Sequence, residues 1–268
     1  MKNIVKNAFL MVSTAFLMGS CQDVIDLDLN SSSPQIVIEG LVSNNNPTTT
    51  IQITKTTDYF NPTIPPPVSG AVVTINDGTT TDTLRERASG VYVSSNIRGT
   101  SGKTYTLKVV VEGKTYTSVS TMPPLVTLDS IGFRPNSRFG TSPDSLEYSP
   151  IIQFRDPPVL GNFYRVKSTV EGKLNNIVSI GSDTRLLENG GNILIPIFQV
   201  SVKTKKRLEV AFWAIDEGVY KYFETLSEQT SPQGGGSSAP TNPTSNISGG
   251  ALGYFAAAAI SVRTATAP

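Results

Sequence analysis

The chain has 268 residues, a formal net charge of +1, one cysteine and no histidine. The absence of histidine excludes serine–histidine and cysteine–histidine catalysis and ordinary histidine zinc sites, and the balanced charge offers no basic surface to nucleic acid. One cysteine cannot form an internal disulfide, so stability must come from core packing, and we expect neither a metal nor a cofactor.

Residues 1–20 are typical of a secretory signal peptide. Lys2 and Lys6 precede an apolar run over residues 8–18, which is too short to cross a membrane because a spanning helix needs about 20 residues. The block Leu17-Met18-Gly19-Ser20-Cys21 resembles a bacterial lipobox. This resemblance implies cleavage before Cys21 and lipid attachment to that residue. The alternative is a simple secreted protein whose cysteine lies there by chance.

Residues 21–33 predict a tether between the lipid anchor and the folded chain. The segment is polar and carries Asp23, Asp26 and Asp28 close behind Cys21. Acidic residues at this place resemble the surface-export signals of Bacteroidota lipoproteins. The resemblance implies a lipid-anchored protein of the outer membrane, and it favours the cell surface over the periplasmic face.

Residues 34–123 predict a first β-sandwich domain. Short apolar runs alternate with polar residues and are separated by Gly, Asp and Pro clusters. Glu112-Gly113 has the form of a two-residue hairpin turn, and Met122-Pro123-Pro124 closes the unit because proline cannot continue a ladder. In the strand before that turn, alternate residues form one apolar face. They are Tyr105, Leu107, Val109 and Val111.

Residues 124–268 predict a second, mainly β domain with one short helix. Apolar residues at spacings of three and four indicate a helix near 217–229, with Asp216 placed to cap its start. Residues 231–250 are rich in Gly, Ser and Pro and predict a long surface loop, and the apolar run 251–259 predicts a core strand. The predicted fold class is mainly all-β, with two tandem β-sandwich domains that are transthyretin-like or immunoglobulin-like.

Short motifs are spaced along almost the whole mature chain. They are Val24-Ile25-Asp26-Leu27, Val37-Ile38-Glu39-Gly40, Ser69-Gly70-Ala71-Val72-Val73, Gly90-Val91-Tyr92, Gly102-Lys103-Thr104-Tyr105, Gly113-Lys114-Thr115-Tyr116, Tyr220-Lys221-Tyr222-Phe223 and Asn246-Ile247-Ser248-Gly249-Gly250-Ala251-Leu252-Gly253-Tyr254-Phe255. Together with Cys21, their order and spacing resemble the Bacteroidota outer-membrane lipoproteins of domain-of-unknown-function family 4249.

This resemblance implies a general role without naming a site. The first predicted domain also resembles transthyretin-like and carboxypeptidase-regulatory-like β-sandwiches, which often accompany TonB-dependent outer-membrane transporters. Genes of the lipoprotein family commonly lie beside transporter genes. The implied protein is an accessory of such a transporter, with a glycan or a peptide as its ligand, and the family supplies no catalytic residue to transfer.

Three aromatic residues are candidates for recognition. Tyr59 and Phe60 lie in a proline-stiffened loop, which either forms a recognition tip or is pinned to the sandwich edge. Trp213 would suit sugar stacking, but its strand is apolar on the opposite face as well, and this favours a core position.

Two groups of oxygen-bearing side chains are candidates for chemistry. The pair Asp216-Glu217 is the best placed for glycoside hydrolysis, although a helix N-terminus explains two acids better. Four oxygen-bearing residues could form a calcium site, but their spacing matches no known calcium loop. A role in stabilising turns is therefore favoured for them. These residues, which we call the calcium set, are Asp183, Glu188, Asn189 and Asn192.

Three Asp-Ser/Thr-aliphatic sequences resemble the acceptor motif of periplasmic O-glycosylation in Bacteroidota. They place candidate sugar acceptors at Thr83, Ser130 and Ser145. Glycosylation at these residues would raise solubility and protect the loops that carry them.

Three functions are compatible with these features. The leading prediction is a non-enzymatic, lipid-anchored accessory of a TonB-dependent transporter in nutrient uptake. The alternative is a structural or adhesive surface module that makes contact through the loop 231–250. A carboxylate-based glycan hydrolase comes third, because the sequence displays no catalytic constellation.

Overall fold

The computed structural model describes residues 33–57, 63–136, 146–182, 190–197, 200–230 and 242–268. These residues form eighteen strands and one helix, so the prediction of a mainly all-β fold is confirmed. The first eight strands are β1 (Ile36–Ser43), β2 (Thr49–Lys55), β3 (Val72–Asn76), β4 (Thr81–Thr83), β5 (Arg85–Ala88), β6 (Val91–Ser94), β7 (Thr104–Val111) and β8 (Lys114–Thr121).

The remaining elements include the helix, named α1. They are β9 (Leu128–Pro135), β10 (Glu147–Arg155), β11 (Phe163–Val170), β12 (Lys173–Leu174), β13 (Ser179–Ser182), β14 (Asn192–Pro196), β15 (Val202–Lys203), β16 (Arg207–Ile215), α1 (Glu217–Thr230), β17 (Ile247–Ser248) and β18 (Leu252–Thr266).

The hairpin of β7 and β8 forms at the turn that the sequence predicts. Glu112 and Gly113 connect the strands with φ values of 51° and 73°, as a two-residue turn with the twist of the flanking strands requires. Alternate residues of β7 are buried, from Tyr105 and Leu107 at 0% exposure to Val111 at 5%. One face of the hairpin therefore contributes to the core.

The largest sheet has nine strands, which come from both the beginning and the end of the described chain. Its strands follow the order β12-β11-β16-β18-β1-β2-β6-β5, and β13 also pairs with β11. Strand β18 is the centre of this sheet, because residues 252–258 pair in parallel with β1 and residues 259–266 pair antiparallel with β16. The long strand thereby joins the beginning of the described chain to its end.

Two smaller sheets complete the β architecture. One contains β17-β8-β7-β3-β4, and the other contains β14-β10-β15 with β9 on the second edge of β10. Side chains from all three sheets belong to one continuous core, in which Ile38, Leu107, Phe154 and Phe212 are completely buried. Because each short strand contributes its apolar face to a shared interior, the strands together form a core that none of them could form alone.

The sheet order differs from the predicted division into domains at residues 34–123 and 124–268. The predicted boundary falls between β8 and β9, but β18 pairs with β1 across it, and Pro34–Pro268 forms a single contact unit. Pairing between strands so far apart leaves no local signal in the sequence. The predicted loop 231–250 also contains β17, which pairs with β8.

Helix α1 covers the second face of the nine-stranded sheet and confirms the predicted helix near 217–229. Val219 and Phe223 pack with Trp213, Ala256 and Ala258 in a separate core cluster. The alanines allow the helix to approach β18 closely, and the predicted core strand at 251–259 is confirmed. No helix in the described part of the chain has the length and apolar character needed to cross a membrane.

Candidate binding site

Asp216 fixes the start of α1 and ties it to two strands. Its Oδ1 accepts a hydrogen bond of 2.9 Å from the backbone amide of Val219, so it is the predicted helix cap. Its Oδ2 accepts bonds from the hydroxyl of Ser120 and from the amide of Thr121, the latter at 3.1 Å. Ser120 Oγ in turn accepts the amide of Ala257 at 2.8 Å. Both carboxylate oxygens therefore have structural partners.

Asn246 continues the pairing of β18 with a side chain. Its Nδ2 donates to the carbonyl of Phe255 at 2.8 Å, and its Oδ1 accepts the amide of Phe255 at 2.9 Å. Gly253 has φ +93°, and a Cβ there would lie 2.1 Å from the carbonyl oxygen of Ile38. The motif around residues 246–255 thus shapes the junction of β1 and β18.

A cationic side chain lies beneath α1. The guanidinium carbon of Arg165 is 3.6 Å from the ring centroid of Phe223 and 5.1 Å from that of Trp213. Within the described residues, Arg165 Nε and Nη1 are buried without a hydrogen-bond partner. Burial lowers the pKa of Arg165 and of Lys167, whose ammonium lies 5.2 Å from the Trp213 ring.

Two tyrosines beside this arginine are held in the neutral form. Burial, together with the Glu39 carboxylate, raises the pKa of Tyr222 to about 12. Burial also raises the pKa of Tyr254, against the opposing effect of Arg165. The rings of Tyr222 and Tyr254 lie 5.0 Å apart and pack with Phe223, so the space under the helix is filled.

Near the C-terminal end of α1 lies an open cavity of about 360 Å³. We call it the edge cavity. Its volume is within the range of ligand-binding pockets. Aliphatic and aromatic side chains form most of its wall. Among them are Val166, Ile177, Ile180, Ile195, Ile197 and Phe212.

The edge cavity faces strand edges rather than one face of a sheet. Residues 177–181 all line it consecutively, as do residues 195–197. Because successive side chains of a strand point to opposite faces, a cavity that contacts consecutive residues must lie along the backbone edge. Within the described residues β13 pairs with β11 alone, and β14 pairs with β10 alone. The cavity therefore lies beside the backbone edges of β13 and β14.

The rim of the edge cavity is acidic. The charged side chains among its described lining are Glu224 and Glu228, one helical turn apart on α1, with Ser227 between them. Glu224 Oε1 accepts the hydroxyl of Tyr220 at 3.1 Å. The last turn of α1 contains no basic residue. The negative partial charge at the C-terminal end of the helix therefore adds to the negative charge of both carboxylates.

The structure gives different roles to the predicted site residues that it describes. Trp213 is 5% exposed and belongs to the core under α1, which leaves no open face for sugar stacking. Glu217 is exposed and its Oε1 lies 2.7 Å from Lys221 Nζ, in a surface ion pair. The position at the helix N-terminus accordingly explains Asp216-Glu217 through capping and charge.

The candidate glycosylation residues differ in accessibility. Thr83 is exposed at the end of β4. Ser130 is half-buried on β9, and its hydroxyl donates to Gln153 Oε1 at 3.0 Å. The remaining candidates lie outside the described residues. They are Cys21, Tyr59, Phe60, Ser145, Asp183, Glu188 and Asn189.

Asn192, the remaining member of the calcium set, is exposed at the start of β14. Over the described ranges, no group of three histidine, cysteine or acidic residues is arranged to hold a metal ion.

The sequence patterns missed Arg165 and the acidic rim. Arg165 alternates with buried Tyr164 and Val166 on β11, and such alternation ordinarily indicates a solvated face. Glu224 and Glu228 carried a usable signal, because like charges one turn apart near a helix C-terminus are unfavourable on their own.

The fold and this site define a β-sandwich protein with a cavity beside the edges of β13 and β14. The chain belongs to the family described as Domain of unknown function (DUF4249), which matches residues 22–264. The resemblance to family 4249 is therefore confirmed. No curated protein matches the sequence.

Among solved structures, the chain is similar to trypsin activated alpha-2-macroglobulin from Escherichia coli. The match has 11% identity and a TM-score of 0.23, and it covers 69% of this chain and 15% of that chain. The chain thus spans a small part of that protein's length, and a similarity at this level transfers neither fold nor function.

Proposed function

We propose that the protein is a non-enzymatic, lipid-anchored outer-membrane protein that binds a TonB-dependent transporter as an accessory in nutrient uptake. The lipobox-like sequence ending at Cys21 supports the anchor, and the acidic tether supports display at the cell surface. Membership of family 4249 agrees with the resemblance from which the transporter association was inferred. The described β scaffold then carries the binding surface.

The observation that carries this proposal is the edge cavity. It is open, its wall combines aliphatic and aromatic residues with polar surface, and two carboxylates border it, which is the composition of a recognition site with orienting polar groups. The carboxylate pair Asp216-Glu217 offers weaker support for catalysis, because capping bonds and an ion pair already occupy both side chains. Binding therefore accounts for more of the geometry than hydrolysis does.

Affinity purification tests the proposal directly. The tagged full-length protein is expressed in its own host, and detergent-solubilised outer membranes are passed over the affinity resin. We expect one TonB-dependent transporter to co-elute in stoichiometric amount, and labelled palmitate to enter the wild type but not the Cys21→Ser variant. Recovery of the lipoprotein alone, or its absence from outer-membrane fractions, would contradict the proposal.

A structural or adhesive surface module is the second candidate function. It is favoured by Val159 and Leu160, two adjacent aliphatic residues that are each 71% exposed in the turn between β10 and β11. Exposed aliphatic neighbours of this kind mark contact surfaces. Attachment of cells to a solid surface should then decrease in a Val159→Ser, Leu160→Ser double variant, and unchanged attachment would exclude this role for the turn.

A further inference from the structure

Three buried N–H groups lie together beneath α1 without an acceptor. They are Nε and Nη1 of Arg165 and Nε1 of Trp213, in the part of the chain that the structure describes. The guanidinium carbon lies 5.1 Å from the Trp213 ring centroid, so the three donors share one place. A buried donor without an acceptor costs free energy, and a cluster of them points to a partner that supplies acceptor atoms.

The charges around these donors leave a positive excess. Lys167 lies two residues along β11 from Arg165 and therefore projects from the same face of the sheet. Glu39 on β1 is a carboxylate that acts on both cations, but it is exposed, and among the described residues neither cation forms an ion pair with an acid. An anion would balance this charge and accept the unpaired hydrogen bonds.

Helix α1 covers the donors through a packing unit of its own. Tyr222 and Phe223 belong to a cluster that is separate from the main core. Lifting of the helix would therefore expose Arg165 without opening the rest of the fold. The bonds of Asp216 to β8 hold the first turn and make it the hinge. Because aromatic rings fill the space while α1 is docked, a ligand reaches the guanidinium only when the helix moves.

We infer that Arg165 and Lys167 form an oxyanion-binding site and that α1 is the lid over it. The docked helix buries these cations at a cost, and a carboxylate or phosphate group that binds them favours the open state. Neither cation is among the described residues that line the edge cavity. The inference therefore goes beyond the proposed accessory function and does not depend on it.

The single tryptophan of the chain reports on this site. Trp213 is 5% exposed beneath the helix, so its quenching by acrylamide should increase when α1 lifts. The purified full-length protein in detergent is titrated separately with sodium succinate and sodium phosphate at constant ionic strength. We expect a saturable increase of about threefold with at least one of them, and the effective salt identifies the oxyanion as carboxylate or phosphate. No saturation with either salt would overturn the inference.

Matched variants locate the bound anion. Arg165→Met removes the guanidinium, keeps an unbranched side chain and should abolish the saturable response. Lys167→Met should weaken anion binding about threefold, as expected for a partly exposed charge. Arg263→Met is the control, because Arg263 is exposed on β18, and its response should equal that of the wild type. An equal loss in all three variants would show a general effect of protein charge and contradict the site.

Hydrogen exchange tests the lid itself. The effective anion should speed exchange of the α1 amides, because it binds the open state, while exchange in the β7–β8 hairpin stays unchanged. Without the anion, Arg165→Met should slow exchange in α1 about tenfold, because methionine packs there without an unpaired charge. Anion binding with unchanged exchange in α1, or faster exchange in Arg165→Met, would exclude the helix as a lid.

The two proposals fail in distinguishable ways. If the transporter co-purifies but neither succinate nor phosphate gives a saturable response, the oxyanion site is wrong and the accessory function stands. If an anion binds and Arg165→Met abolishes the response, but no transporter co-purifies, the site is correctly assigned and the accessory function is wrong.

Discussion

The two ends of α1 differ in how their acidic side chains interact with the helix dipole. At the N-terminal end, Asp216 caps the backbone amide of Val219, and Glu217 pairs with Lys221 across one turn. At the C-terminal end, Glu224 and Glu228 face the negative pole of the helix, and the last turn has no basic residue. Acids stabilise the first position and destabilise the second.

This contrast places a helix end that follows local preference and a helix end that departs from it within one element. The N-terminal end follows every rule for a stable helix start, and its capping residue also bonds to Ser120 and Thr121 of β8. The C-terminal end departs from the rules where the edge cavity opens. Departures from local preference that lie beside a cavity are the pattern expected of a functional site.

The largest expected change in stability is at the N-terminal end of α1, where Asp216 makes several hydrogen bonds. Asp216→Ala removes the cap and leaves the Ser120 hydroxyl and the Thr121 amide without their acceptor, so the free energy of unfolding should fall by about 3 kcal/mol. Urea unfolding followed by circular dichroism measures this loss. Asp216→Asn keeps a capping oxygen and should lose about 1 kcal/mol. Equal stability of Asp216→Ala and the wild type would show that the cap does not hold the helix.

The middle of the helix gives a pH-dependent prediction. Burial raises the pKa of Tyr222 to about 12. The folded state therefore binds the phenolic proton more tightly than the unfolded state, and the resulting stability is present below pH 10 and lost as the pH rises from 10 to 12. The loss attributable to this group should be about 2 kcal/mol.

Tyr222→Phe provides the control for that titration. The variant has no phenol to ionise, so the difference in unfolding free energy between it and the wild type should change across pH 10 to 12 and stay constant below. Absorbance at 295 nm should show one fewer tyrosine ionising near pH 12 in the variant. A constant difference across the whole range would mean that Tyr222 titrates as an exposed phenol.

Reversing the charge at the C-terminal end should stabilise the protein. Glu228→Lys places a cation at the negative pole and ends the repulsion with Glu224, which should raise the free energy of unfolding by about 0.7 kcal/mol. Thermal unfolding measures this gain, and a variant less stable than the wild type would argue against the contrast between the two ends of the helix.

Neutralising the charge at the N-terminal end should have the smallest effect and the opposite sign. Glu217→Gln weakens the interaction with the helix dipole and the ion pair with Lys221, and it should cost about 0.4 kcal/mol. High salt should reduce this difference, because the pair is exposed to solvent. A stabilising Glu217→Gln would remove the contrast between the two ends.

Local patterns predicted the local structure of this fold. The spacing of Val219, Tyr222, Phe223 and Leu226 located α1, and Glu112-Gly113 located the hairpin, because each signal lies within a few residues. The pairing of β1 with β18 had no such signal. The sheet order depends on which distant edges meet, and single residues do not encode that choice.

The candidate site was less accessible to sequence reasoning than the fold. Trp213 was correctly favoured as a core residue because its strand is apolar on both faces. The edge cavity was not foreseen, since it arises where the edges of β13 and β14 approach the end of α1, and the sequence gives no signal for how these three elements pack together. The roles of Cys21, Tyr59 and Phe60 stay predictions.

The parallel pairing of β1 with β18 has a consequence for biogenesis. Asn44 at the end of β1 bonds to Ile260 in β18, across 216 residues of sequence. A polypeptide that emerges from a ribosome or an export channel with its N-terminus first exposes β1 long before its partner arrives. The nine-stranded sheet therefore closes late, and until then the open side of β1 is available to chaperones and proteases.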